Sequence, residues 1–460
     1  MVVNSLSRAI GVPEPAIKLI ITVYSGYPLA FIHRLFPYKE KLSLQYAFFT
    51  LSSLGFLFWN YGFDIYHSLL CLFAQWLIFK ILGASSLSVL FSFVFQLGYL
   101  IYGYIIFSTS DYDINWCMPH CILTLRMIGL AWDVYDGHQN PEHLNADQKE
   151  RGIKDIPSLI EILGFNYFYG GYIVGPQYPL QWLRSLQNGE LTDQPGKKPN
   201  SLFAGLRRGL SGTLLLAVQA YISTIFTAQY YTTQEFQASS FVYKVGYISV
   251  TGHITLLQYV AIWIINEGSC IICGLGYKKD QKTGKITWDA VGNVKLRHFL
   301  TARSFQDIIN SFNINTNGWV LRYVFKRLRF VGVRLVSHLS ALYFLAIWHG
   351  IHEGYFTCFT YEWLTMTVEK PLFALLRQST RIQNIKSSKF FFWLPPLCGW
   401  LYLHILLGYC VIDFTLLKWK VYAPVYKSVY CYGHVFFGSL FILLKIRSMF
   451  QKDEEHPKKS

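Results

Sequence analysis

The chain has 460 residues, of which 52% are hydrophobic and 18% aromatic, and only 15% are charged. Soluble domains carry about 25% charged residues, so this composition excludes an ordinary soluble enzyme and indicates a membrane protein. The formal net charge is +15. Because the basic residues lie between apolar runs and form no separate basic domain, we do not expect a nucleic-acid partner.

The apolar residues are grouped in runs that approach the roughly 20 residues needed to cross a bilayer as a helix. Eight such runs are clear: 45–63, 66–82, 86–107, 209–228, 241–264, 335–348, 392–410 and 429–446. Four less clean stretches would raise the number of spans to about ten to twelve, and they lie at 19–36, 118–132, 159–174 and 355–368.

The polar segments between these runs contain no long Gly/Ser/Pro linker and no convincing repeat. We therefore expect one membrane domain over residues 1–446 and a polar cytosolic tail over 447–460. Apolar residues recur at helical spacing in 298–312, which predicts an interfacial helix. Residues 319–331 alternate apolar and basic side chains, which predicts an amphipathic helix lying on the membrane surface.

Cysteine and histidine spacing gives little support for a metal site. Cys270 and Cys273 form a lone C-x-x-C without a second pair. Cys117, His120 and Cys121 could share a helix face, but they lack a fourth ligand. We therefore expect no metal.

The stretch FLAIWHGIHEGYF, residues 344–356, places ionisable side chains at the end of an apolar run. Such groups are costly at membrane depth and mark functional sites by default. A neutral imidazole at His349 could accept a proton from an alcohol as a general base, although a packed structural histidine remains open. Gly350 and Gly354 are spaced to share one helix face. For His352, packing or solvation at the membrane rim is the preferred interpretation.

A second polar cluster is SFNINTNGW, residues 311–319, which contains Asn313, Asn315 and Asn317. Asparagine tolerates turn geometry, so the cluster could be a simple turn. Its amides could equally hold a hydroxyl or a developing oxyanion. Motifs of other chemistries are missing: we find no G-x-S-x-G, P-loop, H-E-x-x-H or G-x-G-x-x-G, so covalent hydrolase and dinucleotide redox chemistry are unsupported.

Four motifs together resemble those of lysophospholipid acyltransferases in the membrane-bound O-acyltransferase family. WHGIHEGYFTCF, starting at Trp348, is similar to that group's W-H-G-x-x-x-G-Y-x-x-x-F motif, and SFNINTNGW is similar to its asparagine motif. Trp288-Asp289 resembles its W-D pair. YKSVYCYGH, residues 426–434, resembles Y-x-x-x-Y-F-x-x-H but has Cys431 in place of the usual Phe. The resemblance extends over residues 19–446.

The resemblance implies an all-α polytopic fold of about 11 transmembrane helices around a central chamber, in the endoplasmic reticulum membrane. It implies transfer of a polyunsaturated acyl group from acyl-CoA to the sn-2 hydroxyl of a lysophospholipid, chiefly lysophosphatidylcholine. Acyl-CoA would be a co-substrate, and no cofactor is expected. The family's catalytic histidine maps to His349, as the base, and its asparagine to Asn313, which would orient a reacting group or polarise the carbonyl.

Further polar and aromatic residues near these motifs are candidate substrate contacts: Trp348, Tyr355, Gln177, Glu267, Asn317, Arg322, Lys326, Arg329 and His434. The basic ones could meet CoA phosphates, although the positive-inside tendency alone would also place them there. An acyltransferase acting on lysophosphatidylserine, lysophosphatidylinositol, a neutral lipid or a protein is the alternative. A transporter is disfavoured because we see no paired repeats.

Overall fold

The structure is a computed structural model that describes residues 2–107 and 114–455. Helices account for nearly all of its regular elements. In chain order they are α1 Val2–Ile10, α2 Glu14–His33, α3 Leu42–Tyr61, α4 Tyr66–Leu82, α5 Ser86–Phe107, α6 Cys117–Gly137, α7 Ala146–Arg151, α8 Leu159–Asn166, α9 Leu180–Gln187, α10 Leu202–Ser223, α11 Gln234–Ala238, α12 Phe241–Cys273, α13 Leu296–Leu300, α14 Phe305–Ser311, α15 Ile314–Val320, α16 Arg334–His349, α17 Glu353–Gln378, α18 Thr380–Ser387, α19 Leu394–Cys410, α20 Ile412–Leu416, α21 Trp419–Ser428 and α22 Tyr432–Glu455.

Single helical turns and one small hairpin complete the regular structure. The turns are 3₁₀ segments at Gly62–Ile65, Pro141–His143, Ala228–Thr232 and Arg329–Val331, and a π-helical turn at Leu321–Phe325. Strands β1 Lys278–Lys279 and β2 Ile286–Thr287 pair antiparallel, with Lys278 opposite Thr287. The hairpin lies in the polar loop that follows α12.

Within the described residues, seven segments are long and apolar enough to cross a membrane: Glu14–His33, Leu42–Leu82, Ser86–Phe107, Leu202–Thr232, Phe241–Cys273, Leu394–Leu416 and Tyr432–Phe450. The segment Leu42–Leu82 contains two helices, α3 and α4. Helix α16 matches the apolar run at 335–348, but with 16 residues it is too short to count among these seven segments. The prediction of an all-α polytopic membrane protein is confirmed, whereas the number of about 11 spans remains a prediction.

The chain packs as two units. The first runs to Ala217 and adds Tyr259–Val294 and Asn313–Phe330, and the second contains Val218–Gln258, Lys295–Phe312 and the residues from Val331 onward. The predicted boundary at residue 446 lies within α22, which continues to Glu455. Residues 456–460 of the predicted tail lie outside the described residues.

In the first unit, a buried arginine organises the connection between α8 and α9. Arg126 of α6 donates to the carbonyl oxygens of Phe165, Asn166, Gly171 and Pro176 at 2.6–3.2 Å. These bonds satisfy backbone carbonyls that a non-helical segment would otherwise leave unpaired away from water. The prediction of a span at 159–174 is therefore wrong, because α8 ends at Asn166 and buried irregular backbone follows.

The glycine-rich sequence of this connection explains why it is not helical. A Cβ added at Gly171 would lie 2.2 Å from the Arg126 guanidinium, and one at Gly175 would lie 2.2 Å from the Cα of Gly171. The backbone can approach the arginine only where side chains are absent. Sequence hydrophobicity alone could not distinguish this segment from a helix.

The segment 319–331, predicted to be an amphipathic surface helix, is not one continuous α-helix. In the first unit, α15 passes into the π-helical turn, and Trp319 and Tyr323 are only 3% and 5% exposed. The hydroxyl of Tyr323 donates to Asp133 at 2.7 Å, and Arg327 forms an ion pair with Asp136. The segment is thus packed against α6 through these polar contacts, and its position relative to a membrane surface stays a prediction.

In the second unit, the predicted helix at 298–312 is divided into α13 and α14. Ser304 caps α14 by accepting from the backbone N–H of Asp307 at 3.0 Å. The buried carboxylate of Glu369 on α17 accepts from the backbone N–H groups of Phe305 and Gln306 at 2.7 and 3.0 Å. A carboxylate at a helix N-terminus satisfies orphan donors there, so α17 fixes the start of α14.

Candidate active site

His349 is the last residue of α16, and the helix ends there because of Gly350. The Gly350 backbone has φ +147°, a conformation that L side chains rarely adopt, and its N–H donates to the carbonyls of Ala346 and Ile347. A Cβ at Gly350 would also lie 2.8 Å from the ring of Tyr355. The two motif glycines therefore do not share one helix face, since α17 begins only at Glu353.

The His349 imidazole lies among four aromatic rings of the second unit. Its ring centroid is 4.7 Å from that of Trp348, 5.7 Å from Tyr355, 5.5 Å from Phe359 and 5.1 Å from Phe414. Phe359 is stacked, with 27° between the planes, whereas Phe414 meets the imidazole edge-on at 80°. This arrangement restricts the orientation of the imidazole and surrounds it with apolar surface.

Gly354 allows α17 to start against α20. Its N–H donates to the carbonyl of Leu417 at 2.8 Å, and a Cβ at this position would lie 2.1 Å from the carbonyl oxygen of Asp413. Phe414 follows Asp413 directly, so the same close approach sets the position of the Phe414 ring beside His349. Both glycines of the W-H-G-x-x-x-G-Y pattern, Gly350 and Gly354, thus have a steric reason in this chain.

Asn313 lies in the first unit at the start of α15. Its backbone is in the left-handed region, with φ +50° and ψ +41°, which asparagine adopts more readily than most residues. Its side chain accepts from the amide of Asn293 through Oδ1 at 3.2 Å. The backbone N–H of Asn317, one turn along, donates to the Asn313 carbonyl at 3.0 Å.

The basic candidates that follow Asn313 have different environments. Arg322 is part-buried, and its Nε has no hydrogen-bond partner among the described residues. Desolvation, and then the neighbouring charge of Arg151, lower the pKa of the Arg322 guanidinium. Lys326 and Arg329 are exposed. Of these three candidates, Arg322 is the one that combines partial burial with an Nε unpartnered among the described residues.

Two further candidates have structural partners in the first unit. The side-chain amide of Gln177 donates to the carbonyl of Ile122 at 3.1 Å. Glu267 is 3% exposed and forms an ion pair with Arg208 at 3.0 Å. These contacts give both side chains partners within the unit, and their contact with a substrate stays a prediction.

His434 lies on α22 in an aromatic cluster of the second unit. Its Nδ1 is 2.5 Å from the hydroxyl of Tyr409, and its ring contacts those of Tyr361 and Tyr426 at 5.1 and 5.0 Å. Its described ring contacts do not include His349, whose own neighbours are Trp348, Tyr355, Phe359 and Phe414. The structure thus places Trp348 and Tyr355 at the imidazole and His434 in a different set of rings.

Sequence reasoning missed three residues that shape these sites. Phe359 ends the W-H-G-x-x-x-G-Y-x-x-x-F pattern, so the motif itself carried a signal for it. Phe414 and Asn293 are distant in sequence from the residues they contact, and no pattern marked them. No cluster of three or more metal-ligating side chains occurs among the described residues.

Comparison with known proteins identifies the family. The membrane-bound O-acyltransferase family pattern matches residues 101–412. The chain belongs to the membrane-bound O-acyltransferase family. It is 39% identical over 445 residues to lysophospholipid acyltransferase 5 of Mus musculus, which covers 96% of this chain and 91% of the relative.

More distant relatives of the same name agree. Lysophospholipid acyltransferase 5 of Drosophila melanogaster is 35% identical over 94% of this chain and 87% of its own length. The protein of that name from Caenorhabditis elegans is 34% identical over 100% of this chain and 97% of its own length. Membership in the membrane-bound O-acyltransferase family makes the chain a multi-pass membrane enzyme that transfers acyl groups.

Proposed function

We propose that this O-acyltransferase is a lysophospholipid acyltransferase that uses acyl-CoA as donor and lysophosphatidylcholine as its main acceptor, in the endoplasmic reticulum membrane. The observation that carries the proposal is the 39% identity to lysophospholipid acyltransferase 5 over 96% of the chain. This sequence similarity to lysophospholipid acyltransferase 5 extends over both units and includes every motif named above. The sn-2 hydroxyl and a polyunsaturated acyl chain are the expected reacting partners.

In the proposed reaction, His349 removes the proton from the free glycerol hydroxyl of the lysophospholipid. The hydroxyl oxygen then attacks the thioester carbonyl, a C–O bond forms and the C–S bond breaks. CoA leaves as a thiolate and takes the proton back from the imidazolium, so the base is regenerated. Asn313 donates its amide N–H to the carbonyl oxygen, on which negative charge develops.

The surroundings of His349 support a role as base. The four aromatic rings around the imidazole exclude water, which would compete with the lipid hydroxyl for the thioester. His349 is part-buried, so the residue is not completely enclosed by protein. A rigid aromatic frame also holds the base in one orientation, which lowers the entropic cost of reaching the transition state.

The environment of Arg322 supports acyl-CoA as the donor. A part-buried guanidinium beside Arg151, with its Nε unpartnered among the described residues, favours binding of an anion. CoA supplies phosphate and pyrophosphate groups, which guanidinium groups bind with strong charge-assisted hydrogen bonds. Exposed Lys326 and Arg329 would add long-range attraction.

The proposal is tested with the purified full chain in detergent or nanodiscs. Arachidonoyl-CoA and oleoyl-CoA are each supplied with a matched panel of lysophosphatidylcholine, lysophosphatidylserine, lysophosphatidylinositol and lysophosphatidic acid, and the products are separated by mass. We expect the highest kcat/KM with lysophosphatidylcholine and arachidonoyl-CoA. Preference for another lysolipid would change the assigned acceptor, and no turnover of any lysolipid would reject the proposal.

A further inference from the structure

Asn293 is bound to the turn that carries Asn313 by three hydrogen bonds. Its carbonyl oxygen accepts from the backbone N–H of Ile314 at 3.0 Å, and its Oδ1 accepts from the backbone N–H of Asn315 at 2.9 Å. Its Nδ2 donates to the Oδ1 of Asn313 at 3.2 Å. Asn293 is 7% exposed, so these bonds form away from water and resist competition from solvent.

The hydrogen-bond pattern determines which way both amides face. A backbone N–H can only donate, so the Asn293 atom that faces Asn315 N–H must be the oxygen. The other terminal atom of Asn293 is therefore the NH₂ group, which can only donate, and the Asn313 atom facing it must be Oδ1. The Nδ2 of Asn313 is consequently directed away from Asn293, and no hydrogen bond from it to another described residue occurs.

The segment that contains Asn293 is itself held on both sides. The Arg208 guanidinium donates to the carbonyl of Val294 at 2.9 Å and to Glu267 at 3.0 Å. The Glu267 carboxylate lies against Gly292, where an added Cβ would be 3.3 Å from Oε1. The backbone segment around Asn293 is thereby held against the buried ion pair of Arg208 and Glu267.

We propose that Asn293 is a positioning residue that orients the amide of Asn313 so that its Nδ2 donates to the reacting carbonyl. The proposal rests on the function proposed above, in which Asn313 stabilises the developing oxyanion. It assigns Asn313 a donor role, where the motif alone allowed either orientation. It also gives the buried pair of Glu267 and Arg208 a task, namely to support the segment that carries Asn293.

The decisive variant is Asn293→Asp, which is nearly isosteric. One carboxylate oxygen still accepts from Asn315 N–H, but the other replaces the NH₂ donor and repels the Oδ1 of Asn313. The Asn313 amide then rotates and presents its oxygen to the substrate. We expect kcat to fall at least about tenfold, with a smaller change in KM for acyl-CoA, because one oxyanion donor is worth about 100- to 1,000-fold in kcat.

The matched control is Asn315→Ala. It removes the hydrogen bond from Asn315 Nδ2 to the Val291 carbonyl, 3.0 Å long, in the same turn, but it leaves both bonds of the Asn293 side chain intact. We expect its kcat to stay within about threefold of the parent, although its thermal stability falls as one part-buried hydrogen bond is lost. An equal kcat loss in both variants would mean that the turn is merely loosened, which overturns the proposal.

A double-mutant cycle separates positioning from general damage. Single-turnover rates with excess enzyme are measured for Asn313→Ala with and without Asn293→Asp. If Asn293 acts through Asn313, adding Asn293→Asp to the Asn313→Ala variant changes its single-turnover rate by less than about twofold. If the two residues act independently, the fold-losses of the two single variants multiply. Independent effects would overturn the proposal and leave the proposed function intact.

Two further outcomes are informative. Full activity of Asn313→Ala would overturn the role of Asn313 itself, and the Asn293 proposal with it, which is distinct from a failure at Asn293 alone. If Asn293→Asp does not yield folded protein, Asn293→Ser takes its place, because the hydroxyl retains an acceptor but removes the amide donor. Unchanged kcat in a folded Asn293→Ser would again overturn the proposal.

Discussion

The ring of Phe359 lies almost parallel to the imidazole of His349, with centroids 5.5 Å apart and 27° between the planes. The two residues belong to consecutive helices, α16 and α17, so the stack joins the end of one to the first turns of the next. Phe359 packs against the face of the imidazole, whereas the Phe414 ring is nearly perpendicular to it, at 80°.

Shortening this ring should misplace the base without removing it. We expect Phe359→Leu to lower kcat for acyl transfer between about 10- and 100-fold, since small displacements of a catalytic group have effects of that size. The measurement is initial-rate kinetics at saturating acyl-CoA. Phe356→Leu on the same helix is the control, because Phe356 contacts Tyr343 and not the imidazole. Equal losses in the two variants would contradict the role given to Phe359.

Removal of the base should be more severe. His349→Ala is expected to lower acyl transfer by about 100- to 10,000-fold while acyl-CoA binding is kept, because general acid–base catalysis contributes in that range. His352→Ala, three residues along, is the control and should retain most activity. Elution in size-exclusion chromatography confirms folding of both. A folded His349→Ala enzyme with normal turnover would refute the assignment and reopen the transporter hypothesis.

The close contact at Gly354 predicts a strong effect on stability. A Cβ there would lie 2.1 Å from the Asp413 carbonyl oxygen, so Gly354→Ala must separate α17 from α20 and should lower the unfolding free energy by about 3 kcal/mol, the upper end of the usual range for overpacking. Gly438→Ala in α22 is the matched control, since nothing lies within 4 Å of its added Cβ. The apparent melting temperature of each variant checks this. A Gly354→Ala protein as stable as the control would show that the contact relaxes freely.

Two neighbouring arginines should respond differently to the same change. Arg327→Gln leaves Asp136, which is 3% exposed, without its partner and should cost about 3 kcal/mol of stability. Arg322→Gln removes a cation that forms no salt bridge among the described residues, so stability should hold while KM for acyl-CoA rises at least about fivefold. Thermal melts and acyl-CoA titrations at two salt concentrations distinguish the two. If Arg322→Gln left KM unchanged, Arg322 would not bind the CoA phosphates.

Part of this fold was predictable because apolar runs of sufficient length have few alternatives to membrane helices. The runs at 86–107 and 241–264 correspond to α5 and to most of α12. The apolar run at 159–174 does not correspond to one membrane helix. Arg126, more than 30 residues earlier, donates hydrogen bonds to the carbonyls of its non-helical part. A polar partner supplied from another helix is invisible to local hydrophobicity.

In the candidate site, too, residues within a motif could be predicted from the sequence, whereas contacts from distant residues could not. The histidine motif pointed to His349 and to its neighbours Trp348 and Tyr355, which the structure places at the imidazole. The contact of Phe414 with the imidazole depends on how α20 packs against the start of α17. Motif spacing in the sequence does not predict that packing. The orientation of Asn313 likewise depends on Asn293, which precedes it by 20 residues.

The helix stop at Gly350 has an electrostatic consequence. Because α16 ends at His349, the imidazole lies where the peptide dipoles of the helix sum to a partial negative charge, about half an elementary charge at a helix C-terminus. That field favours the imidazolium formed for a moment when the hydroxyl gives up its proton. The glycine that ends the helix therefore offsets part of the penalty that an apolar, aromatic enclosure imposes on a transient positive charge.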